Sequence, residues 1–263
     1  LIITTDYFHG TRFRLHYLMR YLRETFELKV IAIAPLTYDL DFFFDAGGKI
    51  TSLKMIFFVL KKLPYMLTRV IEHRNKELVI IRMPLPMLAL EGLYRILTSF
   101  VAAFLMKINR MYEGFDACLA TPNFAGLCAL VLKMSVPIIY EDVDRCEFLH
   151  KGFLARKISG FVERYCIRNS TQVISAGYAL AESAQTLRRM RVHRVPNSID
   201  IMLFEDSISE KPFRNDSPTL IYVGYIAEWS GLDVVIRALP SISLEFPDTK
   251  LIIVCGNTGK GPL

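Results

Sequence analysis

What this 263-residue sequence lacks removes several classes of function at once. Its five cysteines, Cys118, Cys128, Cys146, Cys166 and Cys255, are odd in number, widely spaced and form no Cys-x-x-Cys pair. We therefore expect reduced core thiols of a cytosolic protein, not a disulfide frame or a zinc site. His9 and His16 stand at no metal-ligand spacing with another histidine, so no metal is expected. A Walker lysine loop is missing and no G-x-G-x-x-G follows the first apolar run, which leaves a P-loop nucleotidase and a nicotinamide-dependent oxidoreductase without support. The basic residues are dispersed and match no nucleic-acid module, so no nucleic-acid partner is expected. The uncharged stretch Ile96 to Met106 is about half of the ~20 residues that a membrane-spanning helix needs, and Ala117 to Leu132, which is longer, also falls short of that length. Neither an integral membrane protein nor a signal peptide ahead of the first strand is expected, and no internal repeat or low-complexity tract is found.

Hydrophobic residues make up 52% of the chain, with 18 Phe and 12 Tyr against 22% charged residues, a balance that supplies a real core and excludes a disordered linker. Lys and Arg number 32 and Asp and Glu 26, and the resulting net charge of +6 suits an anionic partner. Short Val- and Ile-rich runs alternate with longer segments of helical period, the pattern of βα units and a parallel sheet. Strands are predicted at 1–4, 29–34, 78–82, 117–120, 137–140, 172–175 and 191–195, and helices at 11–23, 53–73, 88–109, 125–134, 148–168 and 178–189. The polar segment 207–218 holds two prolines and reads as a linker between an N-terminal domain, 1–206, and a second domain, 219–263. That second domain opens with strand 219–223, helix 232–244 and strand 250–255. The chain starts on Leu1-Ile2-Ile3-Thr4 and stops at Pro262-Leu263 in a glycine-rich loop, so both ends are expected to be cut and the second domain to be incomplete.

Three segments carry a family resemblance. HRVPNSIDIMLFE spans His193–Glu205, LIYVGYIAEWSGLDVVIRALPSI spans Leu220–Ile242, and KLIIVCGNTGKGPL spans Lys250–Leu263. Their order and spacing resemble the family-4, or group 1, retaining glycosyltransferases. The opening run with Gly10, the strand-plus-acid run Ile138–Asp144 and Val173-Ile174-Ser175 extend the resemblance over the whole chain, most specifically after Val192. It implies an α/β fold of the two-domain, Rossmann-like GT-B type. It also implies transfer of a sugar from a nucleotide-sugar donor to a sugar, lipid-linked or polysaccharide-precursor acceptor with retention, using no cofactor beyond the nucleotide-sugar substrate and no metal.

Such a transfer needs the diphosphate neutralised and the acceptor hydroxyl brought to the anomeric carbon. Gly224 closes a strand and Gly231 opens a helix, so their loop can turn backbone N–H groups and a positive helix end toward phosphate, although an ordinary βα turn reads the same way. The loop with Gly256 and Lys260 is a second candidate on the donor side, with Lys260 as a point charge. Asn197 lies in the Pro-Asn-x-x-Asp segment that the family brings to its interdomain cleft. On the acceptor or phosphate side stand Gly10, Arg12, Arg14 and His16, of which the two arginines also fit a solvated helix face and His16 a structural role. Glu141 and Asp142 end a predicted parallel strand, the edge where open sheets place ligands, and are the catalytic candidates. Departures are plain: Ser198 replaces the family's Gly, and Tyr225 and Ser230 stand where Arg and Lys are common. The family's two late acids would lie beyond Leu263, so the chain as given is not expected to turn over a sugar nucleotide.

From Leu53 to Lys76, Lys54, Lys61, Lys62, Arg69 and Lys76 recur beside Met55, Phe57, Phe58 and Leu60. A helix with that pattern can lie on an anionic membrane or pack on the sheet, so the expected location is cytoplasmic with room for peripheral contact at the inner face. Two other readings stay open, a non-catalytic glycosyltransferase-like or membrane-surface subunit and a sugar-nucleotide 2-epimerase.

Overall fold

The computed structural model describes residues 1–5, 13–34, 70–82, 91–149, 152–197, 218–224, 226 and 230–255. The described residues up to 197 belong to one compact unit and those from 218 to another. In the first unit the strands are β1 (Ile2–Thr4), β2 (Val30–Ala34), β3 (Ile71–His73), β4 (Leu78–Arg82), β5 (Cys118–Thr121), β6 (Ile138–Asp142), β7 (Gln172–Ser175) and β8 (Val192–Arg194). They form one sheet in the order β3-β4-β2-β1-β5-β6-β7-β8. Every neighbouring pair is parallel except β3 with β4. The run Val-Ile-Ala-Ile-Ala of β2 is buried throughout, as a strand covered on both faces should be.

The covering helices are α1 (Phe13–Leu22), α2 (Glu91–Ile108), α3 (Asn123–Leu132), α4 (Phe153–Asn169) and α5 (Tyr178–Leu187). Side chains alternate across the sheet. Ile3, Ile31, Ile33, Val79 and Ile81 pack with Ala102, Ala103 and Met106 of α2 and with Ala125 and Cys128 of α3. Ile2, Val30, Ala32 and Ile80 pack with Leu15 and Met19 of α1. Right-handed crossovers explain the division: the chain steps one way from β1 to β2 and the other way from β4 through β8, which puts the connecting helices on opposite faces. No described helix is long and apolar enough to cross a membrane.

The α3 sequence NFAGLCALVL carries no charge, and the helix is buried along most of its length. At Gly126 an added Cβ would lie 2.8 Å from Cys166 Sγ and 2.9 Å from Tyr140 Cδ2. Both neighbours are fully buried, so neither can swing away. Gly126→Ala should therefore destabilise the protein by about 1–3 kcal/mol through overpacking. A urea midpoint equal to that of the wild type would contradict this packing.

Three sequence expectations need correction. The helix expected at 53–73 does not reach residue 73, because Ile71–His73 is strand β3; residues 53–69 lie outside those described. A turn built on Asn75 drives the reversal: its Oδ1 accepts the N–H groups of Glu77 at 2.9 Å and Leu78 at 2.7 Å. Glu72 on β3 then meets Arg82 on β4 at 2.8 Å, and the Arg82 hydrogen bond holds its carboxyl below the usual range. The sheet is consequently mixed, not all parallel. The helix expected from 148 begins instead at Phe153, after a 3-10 turn at Cys146–Leu149 and an extended Gly152 at the N-cap.

The second unit contains β9 (Thr219–Val223), α6 (Leu232–Glu245) and β10 (Lys250–Val254), with β9 and β10 parallel and Ile221 opposite Ile252. Gly231 caps α6 with φ 70, a left-handed conformation that glycine takes without a Cβ penalty. Ile221, Val223 and Val254 are exposed.

Candidate functional site

β1 and β5 are neighbours, yet the chain leaves β1 toward β2 and β5 toward β6. The C-terminal ends of such a divergent pair bound the crevice in which open α/β sheets take ligands. Thr4 lies opposite Thr121 at this edge, and both are buried. Beside them β6 ends in Glu141 and Asp142, Asp142 lies opposite Ser175, and Ser175 lies opposite Arg194.

Glu141 and Asp142 are both buried. Asp142 Oδ2 accepts the Ser175 hydroxyl at 3.2 Å, while its Oδ1, equally buried, has no hydrogen-bond partner. Burial pushes the Asp142 carboxyl up to about 6; the negative charge of Glu163 adds to the rise, and Arg145 and the Ser175 hydrogen bond oppose it. Glu163, on the inner face of α4, accepts Arg145 Nη1 at 2.7 Å and the Cys146 N–H at 2.9 Å. Its own carboxyl is raised by burial, against the pull of Arg145. Glu163 thus pairs with a partly exposed guanidinium whose charge also acts on the buried Asp142. Chemically, the group can take up and release a proton near pH 6 at the edge of the crevice.

Neighbouring contacts hold this edge in place. Asn123 at the start of α3 donates to the Ser159 carbonyl at 3.0 Å and accepts the Phe124 N–H at 3.0 Å, which ties α3 to α4. Arg194 at the end of β8 lies 3.7 Å from the centre of the Tyr178 ring in the first turn of α5.

Of the residues singled out in the sequence, Glu141 and Asp142 stand together in β6. Asn197 is exposed, just past β8. Gly224, whose N–H donates to the Val254 carbonyl at 3.0 Å, and Gly231 frame the β9–α6 loop of the second unit. Gly10, Arg12, Gly256 and Lys260 lie outside the described residues, as do the side chains of Arg14 and His16 on α1. The sequence reading did not single out Glu163, Arg145 or Ser175. A signal for Glu163 was present, since it falls at helical spacing among Ser159, Val162, Cys166 and Ile167 on the buried face of α4. Cys118, Cys128, Cys146 and Cys166 are buried free thiols, and burial pushes Cys118 up to about 12, whereas Cys255 is exposed.

The architecture is α/β of the two-domain, Rossmann-like GT-B type found in glycosyltransferases. A solved structure to which the chain is similar is sucrose-phosphate synthase from Thermosynechococcus elongatus, with a TM-score of 0.60 at 14% identity, covering 99% of this chain and 63% of that one. At that identity the likeness is one of fold, and the chain spans less than two thirds of that enzyme's length. No protein-family model matches the chain, and no curated protein matches it.

Proposed function

We propose that this chain contributes the acceptor-side domain, 1–206, the linker, 207–218, and the opening of the donor-binding domain, 219–263, of a family-4-type glycosyltransferase. The reaction moves a sugar from a nucleotide-sugar to a sugar or lipid-linked acceptor with retention, at or near the inner face of a membrane. The observation that carries the reading is fold likeness to a glycosyltransferase over 99% of the chain, combined with the three family-like segments. The β9–α6 loop supports the donor role. Gly231 leaves α6 without a side-chain cap, and the first N–H groups of a helix favour an anion such as the donor diphosphate. Asp142, with its pKa near 6 and an unpartnered Oδ1, is the acid suited to handling the proton of the acceptor hydroxyl; Glu141 beside it completes the catalytic pair.

The donor loop carries Tyr225 and Ser230 where two cations would face the diphosphate, so another cation is required. Each charge-assisted hydrogen bond to a desolvated phosphate contributes roughly 1.5–3 kcal/mol, more than a neutral donor gives. Lys260 follows β10, the strand paired with β9, and is the substitute we assign. In the full-length protein Lys260→Ala is expected to weaken nucleotide-sugar binding at least about tenfold, or ~1.4 kcal/mol, by calorimetry. Unchanged affinity would discard Lys260, and a full-length protein that binds no nucleotide-sugar would hand the fold to a non-catalytic role.

A further inference from the structure

α2 and α4 touch each other where Gly92 meets Ile158, and both leave a large apolar face in solvent. On α2 the exposed residues Leu93, Leu97, Phe100, Phe104 and Ile108 recur at intervals of three and four, a single stripe about 22 Å long at 1.5 Å per residue. On α4 the exposed Leu154, Phe161 and Tyr165 stand seven and four residues apart, on one side of the helix, and Phe153 lies open at its start. These are not grazing exposures, with Phe104 and Phe161 each at 63% and Phe153 at 76%. A stretch of apolar surface this extensive marks an interaction site.

Charge identifies the partner. The only acids on the two helices are Glu91, the first residue of α2, and Glu163, which is buried with Arg145. Lys107, Arg156, Lys157 and Arg168 are exposed among the apolar side chains, as is Arg164, which pairs with Glu147 at 4.0 Å. Two of the cations sit against the aromatics themselves, Arg156 at 5.7 Å from the Phe148 ring centre and Lys157 at 5.5 Å from that of Phe153. Aromatic and aliphatic groups with cations at their side suit the boundary where acyl chains meet phosphates. Nucleic acid would gain nothing from the aliphatic stripe.

We propose that the exposed face of α2 and α4 docks on an anionic phospholipid bilayer. This deepens the peripheral-membrane part of the function proposed above and does not depend on sugar transfer. It also assigns membrane contact to described residues outside the 53–76 segment that the sequence pointed to.

The test is co-sedimentation of the full-length protein with vesicles of phosphatidylcholine alone and with about 30% phosphatidylserine, which supplies the anionic surface. The wild type should partition onto the anionic vesicles, less so as salt rises. The double variants Phe100→Ser with Phe104→Ser and Arg156→Glu with Lys157→Glu should each lower partition at least about tenfold, with calorimetric affinity for nucleotide-sugar unchanged. Should the aromatic variant misfold, the charge variant decides, since both its positions are exposed. Partition unchanged in the charge variant, or equal and salt-insensitive binding to neutral vesicles, overturns the proposal. So does a wild type that ignores vesicles yet forms dimers that both variants break, which would give the face to a second copy of the chain. Loss of nucleotide-sugar binding with vesicle binding intact would defeat the transferase reading and leave this one standing.

Discussion

Replacing Glu163 with alanine is expected to destabilise the protein by about 2–4 kcal/mol, less than removing one partner of a fully buried ion pair, because Arg145 keeps part of its solvent. Glu163 accepts both the Arg145 guanidinium and the Cys146 N–H, so one carboxylate holds the chain at residues 145 and 146, just after β6. Alanine removes this acceptor from both groups, and each gives up water on folding, Arg145 only in part. Glutamine keeps one acceptor oxygen and should cost only about 1–2 kcal/mol. Urea unfolding followed by circular dichroism gives both values. An alanine variant within about 1 kcal/mol of the wild type would mean that Arg145 finds another acceptor, for which the free Oδ1 of Asp142 is the obvious candidate.

Asp142→Asn should act in the opposite direction. The Asp142 carboxyl is raised to about 6 in the folded protein, from an ordinary 3.8. Between those values the native state keeps a proton that the unfolded chain has lost, so stability is highest below about pH 4, falls as pH rises, and levels off above pH 6. At 1.36 kcal/mol per unit the fall amounts to about 3 kcal/mol, and Asn removes it. The asparagine amide brings a buried polar group to a place where Oδ1 now makes no hydrogen bond, which offsets part of that, so the net gain at pH 7 is about 1–3 kcal/mol. Glu163 is raised as well and contributes in the same sense in both proteins, whereas Glu72 is lowered and its stabilisation is lost as pH falls below its ordinary range. The difference between wild type and variant therefore reports Asp142 together with its coupling to Glu163. Parallel stability curves from pH 4 to 7 would refute the assignment. If the full-length protein is the transferase proposed above, the proton-handling role adds a second readout, a fall in kcat together with loss of the limb near pH 6 in the pH–rate profile. A stabilising substitution that abolishes turnover would mark Asp142 as an acid kept for chemistry at the expense of stability.

Much of the framework was legible because its signals are local. Runs such as Val30–Ala34 and Leu78–Arg82 announce buried parallel strands, and the uncharged segment from Asn123 to Leu132 announces a buried helix. The acids closing β6 were visible for the same reason, as a charge change at the end of an apolar run. The short strand Ile71–His73 was not, because three residues carry no period of their own; what makes them a strand is pairing with β4 and the Asn75 turn.

What the sequence by itself determined is the alternation of apolar runs and amphipathic segments, and hence the α/β class, since burial of those periods is dictated by residue type and spacing alone. Only the tertiary structure decided which acids share a site and which face stays open. Asp142 and Ser175 are far apart in the chain and meet through β6–β7 register; Glu163 reaches the same edge because α4 packs back over that pair of strands. Strand register and helix docking minimise the free energy of the whole core, and no local window of sequence contains that sum.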